Sequence, residues 1–498
     1  MLWRMLFTSV AIAGCILLDN YVDLPYSLKG ESGSVYYYFF GSVVFGGLFG
    51  VYLLPMLCVF PWYQNMDQHK YSRREITLRI LKCGVTLALG YIMLIIILRI
   101  MNLPMLMDYE KQDIVDSVLD GEVFAHFDII ASGREILYFL IAILFAFCEG
   151  CLSGIVAEYA SYHTADKSHV IISPAVCMVC LVYLGKYLRI PDDFRLDRWL
   201  LMRSVLDNSL LTVLIVVLIT TVFLFLSILH LSKKRKQNDQ PGKKPVNKGY
   251  AIGIILLLLA VLFMELADLM SFVNACTDEF SVSVTPFSYP FAIGESFCQM
   301  VYMIFYLGLI SLFVSKHYRD RARSPFRVAG RLITISLLMS GAFLIMSCLT
   351  LRHPEFRNEW KPVWSVLALR YSAYLSFDIP LPFIQNNTPL AALIISFILT
   401  NLCSVLLGTI YILGNQIRSG IGSIASFGIT LLDITAYNLL EFKIRAFSPL
   451  SWAQYVDYDS DGCLNQIHVT VYCAIFVILI CINLLAFHLL KRREHPNG

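Results

Sequence analysis

Charge is scarce in this sequence: only 15% of its 498 residues are Asp, Glu, Lys or Arg, against 57% hydrophobic. A soluble domain is about a quarter charged, so that class is excluded. The net charge is only +3, which offers no electrostatic footprint for nucleic acid. No G-x-x-x-x-G-K-[ST] stretch occurs, so the chain lacks the phosphate cradle, lysine and magnesium-ligating hydroxyl that ATP hydrolysis needs. The 14 cysteines contain two C-x-x-C pairs, Cys148/Cys151 and Cys177/Cys180, but neither has a second pair at zinc-finger spacing. Both pairs lie in apolar runs and read as buried small side chains. No metal site is expected in this chain.

Long apolar runs are abundant. Segments of about 17 to 25 apolar residues are long enough to cross a bilayer as helices. Twelve are expected, near 5–22, 38–61, 77–101, 135–159, 169–187, 209–231, 250–272, 292–315, 330–350, 389–413, 421–440 and 469–490. The fold class is therefore an all-α polytopic membrane protein. Ile12-Ala13-Gly14-Cys15 has the wording of a lipoprotein cleavage site, yet the apolar run continues through Ile16-Leu17-Leu18, as in a span.

The stretch from His230 to Tyr250 divides the chain. It carries seven Lys/Arg and the helix breakers Pro241 and Pro245, the pattern of a solvated linker. Its opening His230-Leu231-Ser232-Lys233-Lys234-Arg235 returns as His488-Leu489-Leu490-Lys491-Arg492-Arg493, each time directly after an apolar span. Leu17-Leu18-Asp19 matches Leu266-Ala267-Asp268 at an offset of 249. Ser72 and Arg79 match Ser324 and Arg331 at 252, and Leu152 and Gly154 match Leu406 and Gly408 at 254. This drift is what a diverged duplication leaves. The boundaries read as 1–236 for the first six-span half, 237–248 for the linker and 249–498 for the second half. An even number of spans per half makes the halves parallel repeats.

Lys and Arg in short loops set orientation. The basic loops around Lys70–Arg79 and Lys316–Arg331, the linker and the C-terminal cluster fall on one side, so both termini are expected in the cytoplasm. The other side receives Asp108 to Asp128, with seven carboxylates, and the aromatic, proline-punctuated segment 351–388. The aromatic cluster Tyr36–Phe40, with Trp360, Trp364 and Trp452, suits the membrane interface.

Each half resembles the six-span permease of an ABC exporter of the type-two class. Four features carry the resemblance. A near-terminal first span precedes a second rich in Gly and aromatics that ends in Gly50-Val51-Tyr52-Leu53-Leu54-Pro55; a basic loop precedes span three. Short turns, 161–169 and 416–422, join spans four and five, and Ser448-Pro449-Leu450-Ser451-Trp452 precedes the last span. The first half has Ile190-Pro191-Asp192-Asp193 at that place, a departure from the family wording. The resemblance implies a membrane subunit with no catalytic residues of its own. ATP and magnesium would be held on cytoplasmic ABC ATPase subunits, two copies, partnering this chain in a bacterial cell membrane. Leu152-Ser153-Gly154 is not the ATPase signature, since the following Gly and Gln are absent.

In that family the loop after span two docks the ATPase. The docking positions carried over are His69, Lys70, Arg73 and Arg74, with His317, Arg319, Arg321 and Arg323; topology and lipid head groups are the plainer reading of the same charges. Carboxylates inside spans are expensive, so Glu149, Glu265, Glu295 and Asp433 are candidates for a polar pathway, or else hydrogen-bonded between helices. Cys403 stands where Glu149 would recur, so the halves are not expected to bind symmetrically.

Asp457-Tyr458-Asp459-Ser460-Asp461-Gly462 opens like a calcium loop, but His468 replaces the closing Glu, and a solvated acidic turn fits better. A disulfide between Cys276 and Cys463 is conceivable on the outer side. The competing functions are a secondary transporter of two six-span halves and a polytopic membrane enzyme. The resemblance implies a peptide, lipid-linked or amphipathic substrate, antibiotics and bacteriocins among them, moved outward.

Overall fold

The computed structural model describes residues 2–23, 34–36, 53–63, 72–119, 126–164, 166–188, 209–237, 248–313, 325–370, 377, 379–438, 448–456 and 469–494. Among these the chain is helical, with no strand beyond one bridge between Val284 and Pro354. Two compact units emerge, Met1–Asn247 and Lys248–Gly498.

The first unit contains α1 (Leu2–Asp23), α2 (Leu54–Tyr63), α3 (Arg73–Ile100), α4 (Asp108–Leu119), α5 (Phe127–Ala131), α6 (Glu135–His163), α7 (Lys167–Tyr187) and α8 (Ser209–Gln237). The second contains α9 (Lys248–Leu269), α10 (Ser271–Glu279), α11 (Tyr289–Gly294), α12 (Ser296–Phe313), α13 (Pro325–Leu349), α14 (Pro362–Arg370), α15 (Leu381–Asn386), α16 (Pro389–Ile417), α17 (Ile421–Asn438), α18 (Pro449–Ala453) and α19 (Val469–Glu494).

Among the described residues eight helices, α3, α6, α7, α8, α9, α13, α16 and α19, are long and apolar enough to cross a membrane. This is an all-α polytopic membrane protein. Four shorter apolar stretches, Trp3–Leu17, Leu54–Tyr63, Cys298–Phe313 and Ile421–Leu431, fall on the first, second, eighth and eleventh expected spans. The eighth is broken where the sequence reads as continuous. Glu295 takes an extended backbone (ψ 123°) between α11 and α12, and its carboxylate accepts the Cys298 N–H. A carboxylate capping the N-terminus of α12 satisfies a donor that the break exposes.

In the first unit α6 is the centre: α2, α3, α7 and α8 all pack on it. Lipid tails are as apolar as Leu, so in a membrane close packing has to do what hydrophobic burial does in water. Small residues supply it. A methyl added at Gly150 would sit 2.7 Å from the Cys83 carbonyl oxygen, and one at Gly84 2.6 Å from Cys151 Sγ. Gly154 faces the Ile80 Cα in the same seam. In the second unit α16 is the centre, contacted by α12, α13, α17 and α19. Gly408 of α16 packs on Leu332 of α13, and Gly414 lies against the backbone of Gly422 at the turn into α17.

Two ties outside the long helices fix the ends of the units. The Val35 N–H donates to the Pro104 carbonyl at 2.8 Å, and Ser34 Oγ donates to Glu110 Oε1 at 2.7 Å. In the second unit the Val284 N–H donates to the His353 carbonyl at 3.2 Å, and Ser283 Oγ donates to Glu355 Oε2 at 2.6 Å.

The Gly150 seam yields a direct test. Gly150→Ala should lower the thermal stability of the detergent-purified protein by about 1–3 kcal/mol, because backbone and not a flexible side chain meets the new methyl. Gly253→Ala, with nothing within 4 Å, should leave the melting temperature unchanged.

Candidate functional site

The predicted docking residues begin at the N-terminus of α3. Ser72 caps it, accepting the Glu75 N–H while Glu75 accepts the Ser72 N–H, a complete capping box. Arg73 and Arg74 follow in the first turn and are exposed. Cations there oppose the helix dipole, so the capping box offsets a local electrostatic cost. The Arg73 guanidinium lies 5.9 Å from the Phe225 ring of α8. His69, Lys70, His317, Arg319, Arg321 and Arg323 lie outside the described residues.

Deeper along α3, Arg79 pairs with Glu158 of α6, Nε to Oε1 3.2 Å, with side chains 11% and 0% exposed. The Arg79 guanidinium also covers the Tyr63 ring at 5.7 Å, and the Tyr63 hydroxyl donates to the Gly154 carbonyl at 3.2 Å. Three helices, α2, α3 and α6, are thus bound together by one buried charge pair. The sequence shows Arg79 as a basic loop charge and a repeat match but does not single out Glu158, although a carboxylate near a span end with an Arg on a neighbouring span is a readable signal.

The pathway candidates separate. Glu149 is buried in the middle of α6, and among the described residues its Oε1 has no hydrogen-bonding partner. Cys58 of α2 lies within electrostatic reach of it. In the second unit Glu265 is buried in α9, and Glu295 sits in the break between α11 and α12. Both act electrostatically on the thiol of Cys298, so these two are neighbours while Glu149 belongs to another unit. Asp433 lies within α17, and its side chain is outside the described residues. Within the second unit, Glu265 and Glu295 share Cys298 as a neighbour.

The segments between the long helices carry further groups that the sequence does not single out. His126, wholly buried ahead of α5 with φ 61°, packs edge-on against Phe145 with ring centroids 5.6 Å apart. Burial pulls its pKa down to about 4, against the attraction of Asp128, whose carboxylate accepts from Ser209. Burial raises the Glu110 carboxyl, countered by the Ser34 hydroxyl and the Met107 N–H. Glu355 is held down to about 2, first by the Lys361 ammonium, then by Ser283 and Arg357.

In the second unit a polar knot holds the short helix α18. Gln299 donates to the Leu450 carbonyl at 3.0 Å, and Gln454 donates to Gln299 Oε1 at 2.8 Å. Phe291, Trp360, Trp364, Phe383 and Tyr455 pack as an aromatic cap above it. In this cluster Trp364 is fully buried and Trp360 half-buried. The 457–468 segment and Cys463 lie outside the described residues, and Cys276 is a free thiol. Among the described residues no group of three His, Cys, Asp or Glu is placed to hold a metal.

The buried pair predicts its own mutational signature. Arg79→Met or Glu158→Met alone should cost about 3–5 kcal/mol in unfolding measurements, because each leaves a buried charge unpaired. The double substitution should recover most of that loss. A pH signature comes from Glu355, whose depressed pKa contributes stability above the ordinary carboxylate value of 4.5 and loses it as pH falls toward about 2. Protease sensitivity of segment 351–388 should therefore rise over that window in the wild type, and Glu355→Gln should flatten the profile.

No family model, no curated protein and no solved structure matches this chain.

Proposed function

We propose that the chain is the membrane-spanning permease of an ATP-driven exporter, two six-span units in one polypeptide, with ATP hydrolysed by separate cytoplasmic subunits. The observation that carries the reading is that small structural devices recur at the offsets read from the sequence. The Val35–Pro104 tie and the Val284–His353 tie are separated by 249 at both ends (284 − 35 and 353 − 104), the offset of Leu17 and Leu266. Ser34 and Ser283, again 249 apart, each bond a glutamate. The Gly154–Ile80 and Gly408–Leu332 seams differ by 254 and 252, as do the matched glycines and arginines.

Helix neighbours run in parallel as well: α2, α3, α7 and α8 around α6, and α12, α13, α17 and α19 around α16. Repeated contacts at repeated offsets support twelve spans arising by duplication. The resemblance to type-two ABC exporter permeases gains support from α18. It places Ser448-Pro449-Leu450-Ser451-Trp452 as a short helix packed on α16 and α17 before the last span.

In this reading the basic ends of α3 and α13 face two ATPase copies in the cytoplasm of a bacterial cell, and ATP with magnesium resides there. Arg73 and Arg74 stand at the docking end of α3, and the Arg79–Glu158 pair ties that helix to α6. Movement imposed at the docking end is thereby delivered to the central helix of the unit. Glu149, Glu265 and Glu295 are the carboxylates available to a polar substrate group.

Isolation of the tagged chain from native membranes in mild detergent tests the reading. Co-purification of a nucleotide-binding subunit with ATPase activity is expected, and it should be lost when Arg319, Arg321 and Arg323 become Glu. A chain that purifies alone, without ATPase activity, would contradict the reading and favour a secondary transporter.

A further inference from the structure

One face of α6 remains unexplained by packing or by ATPase docking. Tyr138, Ala142, Phe145 and Glu149 follow at intervals of four, three and four residues, so they line one side of the helix. They extend over about 16 Å of its axis. All four are buried. His126 packs on Phe145, the residue that stands between Tyr138 and Glu149 in the order along that face. Among the described residues the Tyr138 hydroxyl, both ring nitrogens of His126 and Oε1 of Glu149 have no hydrogen-bonding partner. Native interiors leave few polar groups in that condition, and each calls for a reason. Three in file on one helix face call for a common one.

We propose that this face is a proton path, in which Glu149 is a proton-binding carboxyl that exchanges with the aqueous phase beyond the N-terminal end of α6 through His126 and Tyr138. A neutral imidazole offers one donor and one acceptor nitrogen, the pair a relay requires. A proton taken up at one ring nitrogen releases another from the opposite nitrogen toward Glu149. The imidazole ends neutral and the carboxylate becomes a carboxylic acid, so charge and protons balance. His126 is neutral at physiological pH because burial holds its pKa to about 4.

The surrounding groups fit a carboxyl that changes protonation without a fixed counter-ion. Cys58 of α2 is the titratable group in electrostatic reach of Glu149, with Cys83 of α3 and Cys151 beyond it. Among the described residues no charged group of α3, α7 or α8 acts on Glu149. The α3 cation Arg79 is engaged with Glu158, more than two turns further along α6. From α8, Thr220 lies beside Cys148. His126 is faced by Asp128 of α5. Tyr138 is faced by Tyr36, which Glu110 of α4 also reaches. At the offset of 254 the second unit has Ala392, Ser396, Leu399 and Cys403, with no carboxyl and no tyrosine. The path is therefore a property of the first unit. It stands on that unit's geometry and not on the transport reading, so either can fail alone.

The probe is N,N′-dicyclohexylcarbodiimide, an apolar reagent that adds to protonated carboxyls within bilayers, applied to the full chain reconstituted in lipid vesicles. Mass spectrometry of the peptide containing residue 149 should show labelling that falls as pH rises and disappears in Glu149→Gln. His126→Phe keeps an aromatic ring against Phe145. It should leave the melting temperature and the final extent of labelling unchanged but slow the response to a pH step by roughly tenfold or more. Absence of label at Glu149, labelling indifferent to pH, or a His126→Phe response as fast as the wild type would each overturn the proposal.

Discussion

The closeness of α3 and α6 is the constraint on which the first unit depends. Inside a membrane two helices gain little by hiding apolar surface from each other, so they must gain it by contact. Gly84, Gly150 and Gly154 bring the backbones together, and Cys83 and Cys151 fill the space beside them. That seam leaves no room to slide. It fixes the rotation of α6, and with it which side chains of α6 look at α2, at α8 and at the outer segments. The Arg79–Glu158 pair can exist only because the same seam brings its helices within reach. The second unit uses the same device at Gly408, then adds a backbone contact between Gly414 and Gly422 where α16 turns into α17.

Membrane character and the positions of most spans are legible in the sequence, because long apolar runs leave few alternatives for a helix in lipid. The fifth expected span, interrupted by Ser173 and Pro174, still forms one helix, Lys167–Tyr187. Proline inside a membrane helix is tolerated where neighbours and local adjustment re-satisfy the freed carbonyl. The break at Gly294–Glu295 is not legible, since hydropathy averages over it and the capping bond to Cys298 is a matter of geometry. The Arg79–Glu158 and Gln299–Gln454 contacts join residues far apart in the chain, and no local pattern announces them. The four pathway carboxylates were readable one by one as costly groups. Their division between units, with Glu265 and Glu295 converging on Cys298 and Glu149 apart, belongs to the fold. His126 carries no sequence signal beyond being a lone histidine after an acidic stretch.

Similar scaffolds with different interiors emerge from the two units. The ties at Val35 and Val284 and the glycine seams hold equivalent places, whereas buried titratable groups do not. The first unit has Glu149, His126 and a buried ion pair at Glu158. At the matching positions of the second stand Cys403 and Ile412, and its buried polar groups are mainly amides and hydroxyls, as in the Gln299–Gln454 knot. Both units bury carboxylates, Glu149 and Glu158 in the first and Glu265 in the second, at positions that do not match at these offsets.

The central claim, two units each crossing the membrane an even number of times, is tested most directly by protease protection of epitope tags in sealed inside-out vesicles. Tags would be placed in the 237–248 linker, after Gly498 and within 120–125. The account predicts that the linker and C-terminal tags are both cleaved while the tag in 120–125 is protected. Linker and C-terminal tags on opposite sides would mean an odd number of crossings in the second unit, and would contradict the duplicated architecture.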